Sequence, residues 1–541
     1  MNDRGRQGER WVLPGLGRRQ FLVGAAASAA LVVAGCSSDG DGAGGGDEEV
    51  RTDDTTAATT PRVPELSADP FTLGVASGDP TTAAVILWTR LAPEPTADDG
   101  ASGMPAEPAD VAWEVAADED FAEVIASGSF AATPEHGHSV HAEATGLEPA
   151  TEYWYRFTIG DFTSPVGRTK TLPEGSPERF GLAVANCQML EAGAYGAHRH
   201  LLAEDIDLVA FLGDYIYEYP AGDGGPEARK PLPNRVLETV GDYRLRYASY
   251  KLDEDLAAAH ARFPWVCTWD DHEVANNYMG DTTPTEADPE VVEALKAAAY
   301  QAWWENMPTR LDPPDGPDLA IHQSFAIGDL ASLFLLDQRQ DSDVPPCRDS
   351  STAGLDYGNC DEVDEDRTRL GAAQEAWFSE ALGESAATWN LIGNPVVLAG
   401  IDAGINDSQY YLDTWDGYPE ARKRFIAELA TASNPVVLTG DYHAGMTLEV
   451  RATPFDQDSE LVAPEFMAPP ISSALFSADV TKRTPQLLEQ INAHGYLVVD
   501  VTPERLTATF RTLDDVTDPD TAISTAATWQ VEAGSPVPTQ V

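Results

Sequence analysis

The stretch "FPWVCTWDDHEVANNY" (263–278) passes at once from an apolar run into acids, a histidine and two asparagines. Its first five residues, bulky and apolar, read as a short buried strand. The next part sets Asp270, Asp271, His272 and Glu273 in succession. Buried without partners, those groups would be costly, so either a solvated turn or a cation must hold them. A buried strand that ends in polar chemistry is what a parallel α/β sheet offers at its carboxyl edge, where ligands gather.

Four other runs end the same way. "VANCQ" (184–188) brings Asn186 and Cys187, and "FLGDYIYEY" (211–219) brings Asp214, Tyr217 and Glu218. "LIGNPVV" (391–397) brings Asn394, and "LTGDYHAGM" (438–446) brings Asp441 and His443. Between the runs lie helical patterns such as "VVEALKAAAYQAWWENM" (291–307) and "GAAQEAWFSEALGES" (371–385). Strands alternating with helices predict a layered α/β domain over 174–520 with a largely buried sheet. Singly, each strand end reads as a turn or, for Cys187, a small buried hydrophobe. Five together, with few Lys or Arg beside them, point to one or more cations. Asn276 and Asn277 also suit capping of a following helix.

Upstream, residues 67–173 give only β signals: short runs such as "AAVILWTRL" and "EYWYRFTIG" between Pro, Gly and Asp turns. "TGLEPATEYWYRFTIG" (145–160) has the form of a tyrosine corner on Tyr153 or Tyr155, so a small all-β fibronectin- or Ig-like domain is expected here. His136, His138 and His141 are expected to be surface histidines. Residues 37–66, rich in Gly, Asp and Thr, read as a flexible spacer. Residues 521–541 read as an irregular C-terminal tail.

The first 36 residues hold "GRRQFLVGAAASAALVVAGCSS" (17–38): Arg18 and Arg19, a short apolar run, then Cys36. That order reads as a twin-arginine export signal with a lipoprotein-type cleavage site and Cys36 as the lipidated residue. The twin-arginine machinery is thus an expected partner, and the N-terminal lipid the expected membrane attachment. A cell-surface or periplasm-side lipoprotein, released or tethered, is the expected location. Cys347 and Cys360 flank a polar loop and suit a local disulfide in an exported protein. The net charge of −55 over 541 residues argues against a nucleic-acid footprint. Neither a Gly-x-Ser-x-Gly elbow nor a Walker-type loop is present.

The set "ANCQ", "GDYIYE", "TWDDHEVANNY", "LIGN" and "GDYHAGM" resembles the PhoD family of alkaline phosphatases and phosphodiesterases, relatives of the purple acid phosphatases. "WDDH", "LIGN" and "GDYH" stand where those relatives carry Gly-Asn-His, Val-x-x-His and Gly-His-x-His. The resemblance implies a metallophosphoesterase-like β-sandwich core flanked by helices. It further implies release of phosphate from monoesters, and from diesters, by a metal-activated hydroxide. Residue by residue, Asp214 would bridge two metals. Cys187, Tyr217 and His443 would complete an Fe3+ site. Asp271, Asn394 and Asp441 would surround Ca2+, with Asn186 serving one or two calcium ions; other divalent metals are the alternative. His272 would face the phosphate as the catalytic histidine, and Asp214 would share the catalytic role. Arg339, Arg422 and Tyr418 are candidate substrate-binding residues, although both arginines also suit ordinary ion pairs. Phosphate esters are the expected substrates and a monomer the expected state. The rival reading is a non-catalytic calcium-binding surface lipoprotein, which leaves Cys187, Tyr217 and His443 without a purpose.

Overall fold

The computed structural model describes residues 61–222, 229–286, 288–344, 366–402, 410–476 and 478–541. The leader with Cys36, and Cys347 and Cys360, lie outside the described residues. Among the described residues no helix is long and apolar enough to cross a membrane.

Two sheets stack at the centre. In the first, Phe180–Ala185, Leu208–Leu212 and Pro264–Thr268 run parallel in that order. In the second, Ala331–Leu335, Trp389–Asn394 and Pro435–Thr439 are parallel neighbours. Side chains on a strand alternate between faces, and these strands are apolar on both. Leu182, Val184, Leu208, Ala210 and Leu212 pack inward with Leu333, Trp389, Leu391, Val436 and Leu438 of the facing sheet. Their neighbours Ala183, Val209, Phe211 and Trp265 turn outward onto a helical layer. That layer includes Val240–Lys251, Glu254–Arg262 and Pro289–Asn306. Gly371–Glu384 and Pro419–Leu429 cover the other sheet through Phe378, Phe425 and Ile392. The result is the expected α/β architecture: a β-sandwich between helical layers.

Helix ends are set locally. Val240–Lys251 starts at a capping box in which Thr239 Oγ1 accepts from Asp242 N while Asp242 accepts from Thr239 N. Pro289–Asn306 starts on Asp288 with proline in its first turn.

The N-terminal β region is built into the central sheet. Val75–Gly78 pairs parallel with Pro264–Thr268, and Ala84–Arg90 and Ser139–Thr145 continue the sheet to its edge. A separate sheet of Val124–Ala132, Ala109–Ala116, Glu152–Ile159, Phe162–Thr163 and Gly167–Lys170 packs onto these three. The two close over Val75, Val85, Val111, Tyr155 and Phe157. Tyr153 forms the corner, its hydroxyl accepting the Glu148 N–H at 2.9 Å.

Two expectations change here. The 521–541 stretch is not an irregular tail: Ile523–Glu532 pairs along Arg505–Leu513, with Trp529 and Val531 in the core. Its Ser/Thr/Ala face hides the alternation in the sequence. Of the expected surface histidines, His138 is buried and His136 and His141 are half-buried. His141 stacks on Trp304 at 4.1 Å where the N-terminal sheet meets the helical layer.

Candidate metal centre

The carboxyl ends of both parallel sets open on the same side, and the chain bends sharply there. Cys187, Asp214, Asp441 and His443 all have positive φ, at 53°, 56°, 67° and 55°. Non-glycine residues adopt that region at a cost, and such strain collects at functional sites. Gly213 explains how two strand ends approach so closely: a Cβ there would lie 2.5 Å from that of Asp270.

Three donor groups result. Cys187, Asp214 and His443 bring one ligand atom each to within 4.8 Å of one another, as do Asp214, Asp271 and His272, and Asp270, Asp271 and Asp441. Asp214 belongs to the first two groups and Asp271 to the last two. Tyr217 joins the first: its hydroxyl donates to Asp214 Oδ2 at 2.8 Å and lies 3.2 Å from His443 Nε2.

Among the described residues, carboxylates outnumber the positive charges here, Arg339 being the one arginine paired with them. Asn186 Oδ1, Asp214 Oδ1, Asp270 Oδ2 and Asp271 Oδ1 are buried without a hydrogen-bond partner. Orphaned oxygens of this kind are rare in native interiors and call for water or an ion. Burial pushes Asp441 well above the usual carboxylate range, with Asp270 and Asp413 adding to it. Burial, then Asp214 and Asp441, lifts the Cys187 thiol, and burial with Asp214 lifts the Tyr217 phenol. Asp214 goes the other way: His272 and His443 beside it outweigh its burial and hold it low. A cation would supply the missing charge and turn the raised donors into ligands, so the residues present fit a metal. Thiolate, phenolate and imidazole suit a transition metal; the carboxylates suit a hard cation.

His272 lies at the edge of the cluster, its ring 4.1 Å from that of Tyr217. Burial lowers its affinity for a proton, but Asp271, Glu218 and Asp214 together raise it well above the usual histidine value. Glu218 Oε2 is 2.8 Å from His272 Nδ1, which leaves Nε2 for a reacting group.

Several expected residues already have protein partners. The Asn394 side-chain oxygen accepts from the Gln338 amide, and its nitrogen donates to Val396 O at 2.5 Å. Arg339 is fully buried, bonded through Nε to Asp270, with Asp413 at 3.7 Å, Asp271 at 3.8 Å and Asp441 at 3.9 Å. Its charge offsets those acids, and its Nη2 has no hydrogen-bond partner. Arg422 pairs with buried Asp416 at 2.5 Å. Tyr418 is buried and donates to Asp343 O at 2.6 Å. Both serve the packing of the Pro419–Leu429 helix.

Sequence reasoning missed Glu273, which accepts from the backbone N–H groups of Asp214 at 3.1 Å, Tyr215 at 2.6 Å and Asp270 at 3.0 Å. It locks two ligand-bearing strand ends together; its place in the 263–278 stretch was the available signal. It also missed Asp413 and Ser473, whose surroundings in the sequence carry no mark.

Known proteins resemble this chain over most of its length. Residues 182–510 match the family described as PhoD-like phosphatase, and residues 56–173 match its N-terminal domain. Alkaline phosphatase D of Bacillus subtilis (strain 168) is 40% identical over 482 residues, covering 86% of this chain and 81% of the relative. A solved structure described as PhoD superposes with a TM-score of 0.83 at 39% identity, covering 88% of this chain and 93% of that one.

Proposed function

The chain belongs to the PhoD-like phosphatase family and is a phosphoester hydrolase; on that premise we propose a two-cation mechanism that splits phosphomonoesters and phosphodiesters. The observation that carries this reading is Asp214, whose carboxylate groups with Cys187 and His443 and also with Asp271, itself grouped with Asp441. One carboxylate facing two donor sets is what a bridged metal pair requires. Cys187, Tyr217, His443 and Asp214 would hold Fe3+. Asp214, Asp271 and Asp441, with the orphaned Asn186 oxygen nearby, would hold Ca2+. Bound there, the cations would polarise the phosphoryl oxygens and make water a nucleophile at working pH. His272, held by Glu218, supplies a proton to the leaving oxygen. Arg339 keeps Asp270 and its neighbours from repelling one another, so the ligand carboxylates stay in place.

The leader supports export by the twin-arginine route, with Cys36 as a lipid anchor; such export suits an enzyme that leaves the cell with its metals loaded. The experiment is elemental analysis and visible absorption of the exported protein, alongside Asp214→Asn. One iron with calcium, a charge-transfer band and loss of hydrolysis in D214N are expected. Zinc or manganese in place of iron overturns the metal assignment; D214N with full activity overturns the bridged pair.

A further inference from the structure

The four residues 471–474, "ISSA", touch the Cys187–Tyr217–His443 group at every member, although none of them is itself a donor in it. Ile471 N donates to Asn186 O at 3.0 Å, and Ser472 N and Ser473 N donate to Cys187 O at 3.3 and 3.2 Å. His443 Nδ1 lies 2.7 Å from Ala474 O, which leaves Nε2 toward Tyr217 and Asp214. Ser473 Oγ is 2.7 Å from the Tyr217 hydroxyl and 2.7 Å from Cys187 O. The segment is fixed in turn: Ser473 is fully buried, Ser472 Oγ donates to Met189 O at 2.8 Å, and His494 Nε2 is 2.9 Å from Ser473 O.

Ser473 has a single hydroxyl proton and two acceptors for it. Cys187 O already receives two backbone N–H groups. Ser473 Oγ accepts the Met189 N–H at 3.2 Å, and its one proton lies within reach of two acceptors, Cys187 O and the Tyr217 oxygen, each at 2.7 Å. A phenol at Tyr217 donates its own proton to Asp214. A phenolate has none and can only accept, and as an anion it is a stronger acceptor than the Cys187 carbonyl for the Ser473 proton 2.7 Å away. Partners around a metal ligand of this kind set its orientation and its electron donation.

We propose that the 471–474 segment is the positioning element of the Cys187–Tyr217–His443 donor set, and that the Ser473 hydroxyl tunes Tyr217 as a metal ligand by donating a hydrogen bond to its phenolate oxygen. This rests on the ferric reading above. Ser473 is a positioning residue: it acts through Tyr217. A hydrogen bond to a phenolate lowers the energy of the electrons it gives to a ferric ion, so removing it moves the phenolate-to-iron absorption to longer wavelength.

The test is the visible spectrum of the iron-loaded full chain in wild type, Ser473→Ala and Ser473→Thr. A band that moves to longer wavelength in S473A and returns in S473T is expected. A wild-type band that S473A leaves in place overturns this inference alone. An iron-loaded wild type without a band overturns it together with the ferric assignment. Resonance Raman of the wild type in H2O and D2O needs no variant: a phenolate C–O mode that shifts on deuteration supports the bond, and one that does not overturns it.

Discussion

Glu218 joins His272 to the neighbouring loop: its Oε2 stands 2.8 Å from His272 Nδ1 while Oε1 accepts the Asn276 N–H at 2.8 Å. Both oxygens are spent, and both side chains are buried. The imidazole is therefore fixed in one orientation with Nε2 turned away from its partner.

Glu218→Gln should lower kcat by about tenfold on alkyl phosphates, and His272→Ala by ~100-fold or more. On 4-nitrophenyl phosphate, whose leaving group departs unaided, the losses should be smaller. Initial rates on the two substrates decide it; equal losses on both would remove the proton-donor role.

Glu273→Gln should weaken cation binding roughly 10- to 100-fold, the usual effect of losing a group that orients ligands. An amide offers one acceptor where the carboxyl now meets three backbone N–H groups. Calorimetric calcium titration of wild type and variant measures it, and unchanged affinity would mean the strand ends hold their places without Glu273.

Chelation should lower the melting temperature and abolish hydrolysis together, because cation binding to the folded state alone adds to stability by mass action. Calcium should restore the melting temperature, while the same ionic strength of NaCl should not. Full recovery in NaCl would identify general screening of the acids as the cause.

Lys251 supplies a pH test remote from the cations. Its ammonium is buried 4.3 Å from the Trp88 ring and 3.3 Å from the Tyr215 hydroxyl, and burial pushes it down to about 7. The unfolded chain keeps that proton to about 10.4. Between those values the unfolded state binds more protons, so stability rises with pH, by at most ~1.4 kcal/mol per unit from this group. The melting temperature of wild type relative to Lys251→Met should therefore climb from pH 7 to pH 10; a flat difference would show that Lys251 titrates normally.

Arg422→Met should cost about 3–5 kcal/mol of stability, since it leaves buried Asp416 without its cation. KM for a phosphomonoester should stay unchanged. A large rise in KM at low temperature, where the variant is folded, would return Arg422 to the substrate.

The sequence alone determined which apolar runs become the central strands, because apolar residues of the right length, closed by turn residues, have little alternative to burial. It also determined the chemistry at the strand ends: Cys187, Asp214, Tyr217, Asp271, Asp441 and His443 are each legible beside an apolar run, and the structure assembles them. Tertiary structure alone decided who partners whom. Arg339 reads as a surface or rim arginine, yet stacking the two sheets places it against Asp270, 69 positions away. Asn394 stands at a strand end the sequence marks, but that the Gln338 amide donates to its oxygen appears only in the folded chain. Ser473 stands in a stretch without pattern and becomes a neighbour of Cys187 and Tyr217 only when a distant loop crosses the strand ends. A local pattern fixes which face of a strand is buried; the contact made by its last side chain depends on the register of sheets that meet only in the folded chain.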